Sequence, residues 1–268
     1  MTSRITACLV HHRKSQRKTL VGYITAGDPS LTASLELAVA LYESGVDILE
    51  LGVPFSDPIA DGPTNQKAAE RALAQGTTLR DVLELAHRVR GLCPELPIVL
   101  FTYLNPVFNL GYETFAAACA DSGIDGALIV DLPPEEAREY RQAMSAYGRE
   151  TIFLASPTTD SERLRFIDSV SQGFVYYVGR TGVTGSQAEL SKTLAAEMAN
   201  VRRIVRHPVM IGFGISTAEA AYQAACLGDG VVIGSAIVNL IEKSPDSATR
   251  VREVQQFVRR IRDALDKK

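Results

Sequence analysis

Two carboxylates carry the strongest chemical signal in this sequence. Residues 49–62 read Leu-Glu-Leu-Gly-Val-Pro-Phe-Ser-Asp-Pro-Ile-Ala-Asp-Gly. Glu50 lies in an apolar run, Val46 to Leu51, that a Gly-Val-Pro break ends at once, so the run reads as a buried strand. A carboxylate there is costly unless it is paired, hydrated or protonated. Asp61 follows eleven positions later, in a loop thick with Pro and Gly. A carboxylate at a strand end and another in the next loop could act as an acid/base pair. A salt-bridged Glu and an Asp that orders its own turn would satisfy the same letters, and both readings stand at this point.

A second chemistry is written late in the chain. Gly179-Arg-Thr-Gly-Val-Thr-Gly185, Gly212-Phe-Gly-Ile-Ser216 and Gly234-Ser235 each follow an apolar run. Glycines in such loops let backbone N–H groups approach an anion, with a helix N-terminus behind them. None is a Walker loop, and Gly212-Phe-Gly214 lacks the third glycine of a dinucleotide fingerprint. The glycine-rich stretch from Gly179 to Leu190 has the composition of a lid.

The elements that must position these groups alternate along the chain. Strands are expected at 19–25, 46–52, 97–103, 125–130, 151–155, 174–178, 208–211 and 230–233, each followed by a helical pattern. Asp28 is expected to cap the first of these helices, with Pro29 at its first position. Further helices are expected at 134–147 and from about 191 to 205, with a capping box at Ser216 and Glu219. Ser-Gly-Val-Asp at 44–47, Ser-Gly-Ile-Asp at 122–125 and Leu-Gly-Asp-Gly at 227–230 repeat one helix-stop and strand-start pattern. Eight such units without a linker predict an α/β fold. The architecture is a closed (β/α)8 TIM barrel, one domain over 1–268 with an extra N-terminal helix, rather than an open doubly wound sheet. In such barrels the site lies in the loops at the C-terminal strand ends, and the phosphate site follows the last two strands. Alternation puts Ile48, Glu50 and Gly52 on one face. Tyr23, Phe101, Tyr103, Leu128, Leu154, Tyr176 and Phe213 would wall the mouth, which suits a flat apolar substrate. None of the four histidines falls in a mouth loop, leaving proton transfer to carboxylates.

Composition excludes other classes. The chain has 268 residues, 46% hydrophobic and 22% charged, with net charge −3, so a nucleic-acid backbone is not an expected partner. The one basic cluster, His11 to Lys18, reads as a solvated helix face. Cys8, Cys93, Cys119 and Cys226 show no metal-ligand or disulfide spacing, and Cys119 and Cys226 fall in Ala-rich helical patterns, where a thiol acts as a small apolar residue. No leader or membrane span is read, and a cytoplasmic protein is expected.

The sequence also resembles the tryptophan synthase α subunit family. The likeness rests on residues 49–62, on Tyr-Ile-Thr-Ala-Gly-Asp-Pro at 23–29 and on Tyr-Leu-Asn-Pro-Val at 103–107. The late glycine loops and Gly-Ser-Ala-Ile-Val at 234–238 extend it to nearly the whole chain. It implies a (β/α)8 lyase that cleaves indole-3-glycerol phosphate into indole and glyceraldehyde 3-phosphate. By resemblance Glu50 matches the acid/base at the indole carbon, and Asp61 the carboxylate that stabilises charge at the indole N–H. Tyr23, Phe101, Leu128, Leu154, Tyr176, Thr184 and Val232 match substrate-binding positions. Gly185, Phe213, Gly214, Gly234 and Ser235 match phosphate-binding ones. No cofactor is implied on this chain. The implied partner is a β subunit bearing pyridoxal phosphate in an αββα complex, faced by Pro54, Asp57, Asn105, Pro106 and Phe108. Gly22 departs from the family pattern, which has a larger residue there, and is expected to loosen the pocket wall. A stand-alone indole lyase and a non-catalytic barrel that only activates the partner are the competing readings.

Overall fold

The computed structural model describes residues 3–179, 187–212 and 214–267, with backbone alone for 187–192. Eight parallel strands close into a barrel in sequence order. They are β1 (Thr19–Thr25), β2 (Ile48–Gly52), β3 (Ile98–Thr102), β4 (Gly126–Ile129), β5 (Glu150–Ala155), β6 (Val175–Val178), β7 (Val209–Gly212) and β8 (Gly230–Ile233), with β1 pairing β8 to complete the ring. Around them run α1 (Arg4–Ser15), α2 (Leu31–Glu43), α3 (Pro63–Ala74), α4 (Leu79–Leu92), α5 (Leu104–Leu110) and α6 (Tyr112–Asp121). The second half adds α7 (Arg138–Ala146), α8 (Ser161–Val170), α9 (Gln187–Ile204), α10 (Ala218–Leu227), α11 (Ser235–Lys243) and α12 (Ser247–Leu265).

The period of two along each strand divides the core. Outward residues such as Leu20, Leu49, Leu51 and Leu100 pack beneath the helices. Inward residues Val21, Ile48, Val99, Leu128, Ile152, Phe174, Met210 and Val232 fill the barrel. Ile5 and Leu9 of α1 join this inner cluster and stopper its N-terminal end. Polar contacts tie α1 to that end: Arg4 forms an ion pair with Asp125 at 2.9 Å, and His12, whose pKa burial lowers, lies 3.5 Å from Asp47. The inner ring is closed below, so a cavity that enters the barrel interior must open at the other end.

Four local expectations are corrected. Ser30, not Asp28, caps α2, and Asp28 instead takes two hydrogen bonds from Arg71 at 2.8 Å. The helix expected from 134 begins at Arg138, because Glu136 N–H and Ala137 N–H close tight turns onto Pro133 and Pro134. Thr217 rather than Ser216 caps α10, leaving Glu219 to accept from Gln223. Cys226 is exposed, on the outer face of α10, so it is not a core thiol, whereas Cys119 is buried. The basic cluster is a solvated helix face only in part: His12 is buried against Thr19, and beyond the end of α1 Arg17 pairs with Asp47 and the half-buried Lys18 bonds Gly228.

Candidate active site

The inward face that supplies the barrel core continues upward into a cavity of about 750 Å³. Two residues beyond each core position, the same faces bring Tyr23, Glu50, Phe101, Val130, Leu154, Tyr176, Gly212 and Gly234 to its wall; Val232 lines it too. Register fixes the neighbours: Tyr23 stands opposite Glu50, and Tyr176 opposite Leu154. Two strand-end glycines make room for the tyrosines. A Cβ at Gly52 would fall 2.3 Å from Tyr23 Oη, and one at Gly212 would fall 2.6 Å from the Tyr176 ring.

Glu50 is 1% exposed, and its Oε1 is buried without a hydrogen-bond partner among the described residues. Burial, reinforced by the charge of Asp61, pushes its pKa up to about 8. It is therefore a neutral acid near neutral pH, and no cation among the described residues forms a salt bridge with it. Asp61 reaches the same cavity from the loop after β2. Tyr103 Oη donates to Asp61 Oδ2 at 2.8 Å, and Asn65 Nδ2 donates to Oδ1 at 3.5 Å. Burial raises the Asp61 pKa, and these two donors hold it back toward the ionised form. Burial and the nearby carboxylates raise Tyr23 and Tyr176, so both keep their protons.

Across the cavity lie Gly214, at φ +45°, with Gly234 and Ser235. Gly234 precedes α11 and no side chain caps that helix, so its first N–H groups are available to an anion. A pair of carboxyl groups thus faces an uncapped helix N-terminus across an apolar, tyrosine-rich wall. That geometry suits acid/base chemistry on a molecule with an aromatic end and an anionic end.

A family model described as tryptophan synthase alpha chain matches residues 9–266. The chain belongs to the tryptophan synthase alpha chain family. The alpha chain of Geobacter sulfurreducens is 49% identical over 98% of this chain and 99% of its own length. The crystal structure of tryptophan synthase subunit alpha from Legionella pneumophila shares 37% identity at a TM-score of 0.93, covering 99% of both chains. A chain of the tryptophan synthase complex from Pyrococcus furiosus is 36% identical with a TM-score of 0.82, over 91% of this chain and 98% of that one.

The residues expected from the family's pattern are mostly brought together. Glu50, Asp61, Tyr23, Phe101, Leu154, Tyr176, Val232, Gly214, Gly234 and Ser235 all line the one cavity. Leu128 does not: it is fully buried one layer lower in the barrel, and Val130, two residues on along the same face, takes its place at the wall. Thr184, Gly185 and Phe213 lie outside the described residues. Gly22 does not touch the pocket. A Cβ there would meet Val46 at 3.0 Å and Leu41 at 3.7 Å, so it faces α2, and the expected loosening of the wall does not arise. Sequence reasoning missed Asn65 and the hydrogen bond from Tyr103. The i,i+4 spacing of Asp61 and Asn65 on a helix start was the available signal for the first. Nothing local signals the second, which spans 42 residues.

Of the expected partner-facing residues, Asp57, Asn105 and Phe108 are exposed, Pro106 is half-buried, and Pro54 is buried within the chain's own loop. Ile59, at 83% exposed, and Phe108, at 66%, are the most exposed large apolar side chains among the described residues.

Proposed function

We propose that Glu50 and Asp61 perform the cleavage step that defines this family. The chain is the lyase subunit of tryptophan synthase: it cleaves indole-3-glycerol phosphate to indole and glyceraldehyde 3-phosphate and passes indole to the β subunit. The observation that carries the assignment is a fully buried Glu50, its pKa pushed up by that burial, in the same cavity as an Asp61 anchored by Tyr103.

The reaction breaks a carbon–carbon bond and leaves its electron pair on the indole ring. Glu50 gives its proton to indole C3, and the ring becomes an indolenine cation. Asp61, at the position assigned to the indole N–H, stabilises that cation, and the cation in turn favours the ionised carboxylate. The Glu50 carboxylate then takes the proton of the adjacent side-chain hydroxyl as the bond breaks. Indole and an aldehyde form, and Glu50 ends protonated as it began. Tyr23, Phe101, Leu154 and Tyr176 hold the flat ring. Gly214, Gly234 and Ser235 hold the phosphate, whose binding far from the reacting bond positions that bond.

None of these steps draws on a cofactor from this chain, and pyridoxal phosphate chemistry is assigned to the β subunit. Asp57, Asn105, Pro106 and Phe108 form the facing surface, with Pro54 shaping the loop behind it. We further place the chain in the cytoplasm as one barrel domain over 1–268; no helix among the described residues is long and apolar enough to cross a membrane.

The deciding experiment is indole release from indole-3-glycerol phosphate, with and without a β subunit, for wild type, Glu50→Gln and Asp61→Asn. Loss of turnover in both variants with retained folding is the expected result. Intact turnover in Glu50→Gln removes the acid assignment.

A further inference from the structure

We propose a second anion site at the closed, N-terminal end of the barrel, for a phosphate-type oxyanion. A recess of about 380 Å³ lies between the end of α1, the start of β1, the end of α9 and the loop into β7. Arg13, Arg17, Lys18, Arg202, Arg206 and His207 line it, and the one carboxylate on its wall is Asp229. The chain as a whole carries −3, so this concentration of cations runs against its composition.

The neighbouring carboxylates are already engaged. Asp229 accepts from Arg202 and from Val209 N–H, each at 2.8 Å. Asp168 accepts from His207 Nδ1 at 2.9 Å and from the N–H groups of Arg206 and His207. Asp47 takes Arg262 at 2.9 Å and Arg17 at 3.2 Å. Lys18 Nζ donates only to a neutral carbonyl, that of Gly228, at 2.9 Å. The guanidinium groups of Arg13 and Arg206 have no ion pair or hydrogen bond among the described residues. Both also line an adjoining recess of about 440 Å³, so they stand where the two hollows meet. The carboxylate of that second recess, Glu150, bonds Thr6 through one oxygen and packs its buried other oxygen against Gly173.

Cations near helix C-termini complement the helix dipole, which accounts for Arg13 and Arg202. It also accounts for Lys18, whose ammonium bonds the Gly228 carbonyl at the C-terminus of α10. Arg206, two residues past the end of α9, bonds no described carbonyl there through its guanidinium and lines the same hollow. Arg13 and Arg206 are exposed on the walls of one concavity with their guanidinium groups free, and a dianion matches the fork geometry of such donors. The concavity selects a small anion, inorganic phosphate or a phosphomonoester, over an extended polyanion. The packed barrel core separates this recess from the cleavage cavity, so the two sites bind independently.

The test is calorimetric titration of the full chain with inorganic phosphate and with glycerol phosphate. Ser235→Asp blocks the cavity's phosphate position, and Arg13→Gln/Arg206→Gln blocks the basal one. Wild type should bind two anions and Ser235→Asp one. The combined variant should lose that one by at least tenfold, while Arg13→Gln/Arg206→Gln alone keeps native circular dichroism and indole release. Tighter binding of glycerol phosphate than of inorganic phosphate to Ser235→Asp assigns the site to phosphomonoesters, and equal binding assigns it to the free anion. Either the absence of phosphate binding by Ser235→Asp, or binding by the combined variant within twofold of Ser235→Asp, overturns the site.

Discussion

The hydroxyl of Tyr103 donates to Asp61 Oδ2 at 2.8 Å and accepts the backbone N–H of Ala60 at 3.1 Å. Tyr103 also precedes α5 and stacks on Phe55 with ring centroids 5.1 Å apart. One side chain therefore ties the end of β3 to the loop that carries both the functional carboxylate and the exposed Asp57 and Ile59. Tyr103→Phe keeps the ring and removes both bonds. We expect kcat/KM for indole release to fall about tenfold, as befits the loss of a charge-assisted hydrogen bond worth roughly 1.5 kcal/mol. Because the bond favours ionised Asp61, its removal should also raise that pKa. A pH profile that superimposes on wild type would contradict this role.

For Glu50, activity and stability should titrate together. The acid is protonated below its folded pKa of about 8, so kcat/KM should decline as pH rises past that value. An unfolded chain releases this proton near the ordinary value of 4.5. Between the two values the folded state alone holds the proton, and stability falls as pH rises through that window. The loss has an upper bound on the order of 5 kcal/mol. Glu50→Gln should lower kcat by roughly 10²- to 10⁴-fold and flatten this slope. Urea unfolding at pH 5 and pH 9 reads the slope directly; the same slope in both proteins would assign it elsewhere.

Gly52 is a packing requirement of the pocket. With Tyr23 Oη 2.3 Å from the position of an added Cβ, Gly52→Ala must displace the ring or the strand. A cost of about 1–3 kcal/mol is expected, together with a higher KM, since Tyr23 is pocket wall. A thermal melt and a substrate titration check the two effects, and an unshifted Tm would show that the ring relocates freely.

Phe108 tests the proposed partner surface apart from catalysis. It is 66% exposed and far from the acid in chain connectivity, on α5. Phe108→Asp should leave indole release by the isolated chain within twofold of wild type. It should weaken β-subunit binding at least tenfold if the proposed surface is used, because a charge would replace an exposed apolar side chain there. Co-sedimentation with the β subunit measures the second effect, and undiminished binding would move the interface off α5.

Much of this protein is legible in one dimension. The repeated glycine stops before strands, the period-two alternation and the uninterrupted βα order determine a closed barrel, because each is a local or nearest-neighbour property. Glu50 and Asp61 stood out because a carboxylate in an apolar strand contradicts its surroundings. Where the reading slipped, the deciding contacts were distant. The letters around Asp28 suggest a cap, but Arg71 of α3 claims its carboxylate. Leu128 was placed at the wall, but the depth of β4 in the barrel puts Val130 there. Letters alone left Glu50 between ion pair and acid. The closed ring buries the carboxyl group with no ion pair among the described residues, so that desolvation dominates. Likewise His11 to Lys18 is only a solvated basic run until folding sets Arg202, Arg206 and His207 beside it. Charges almost two hundred residues apart share one hollow through tertiary packing alone.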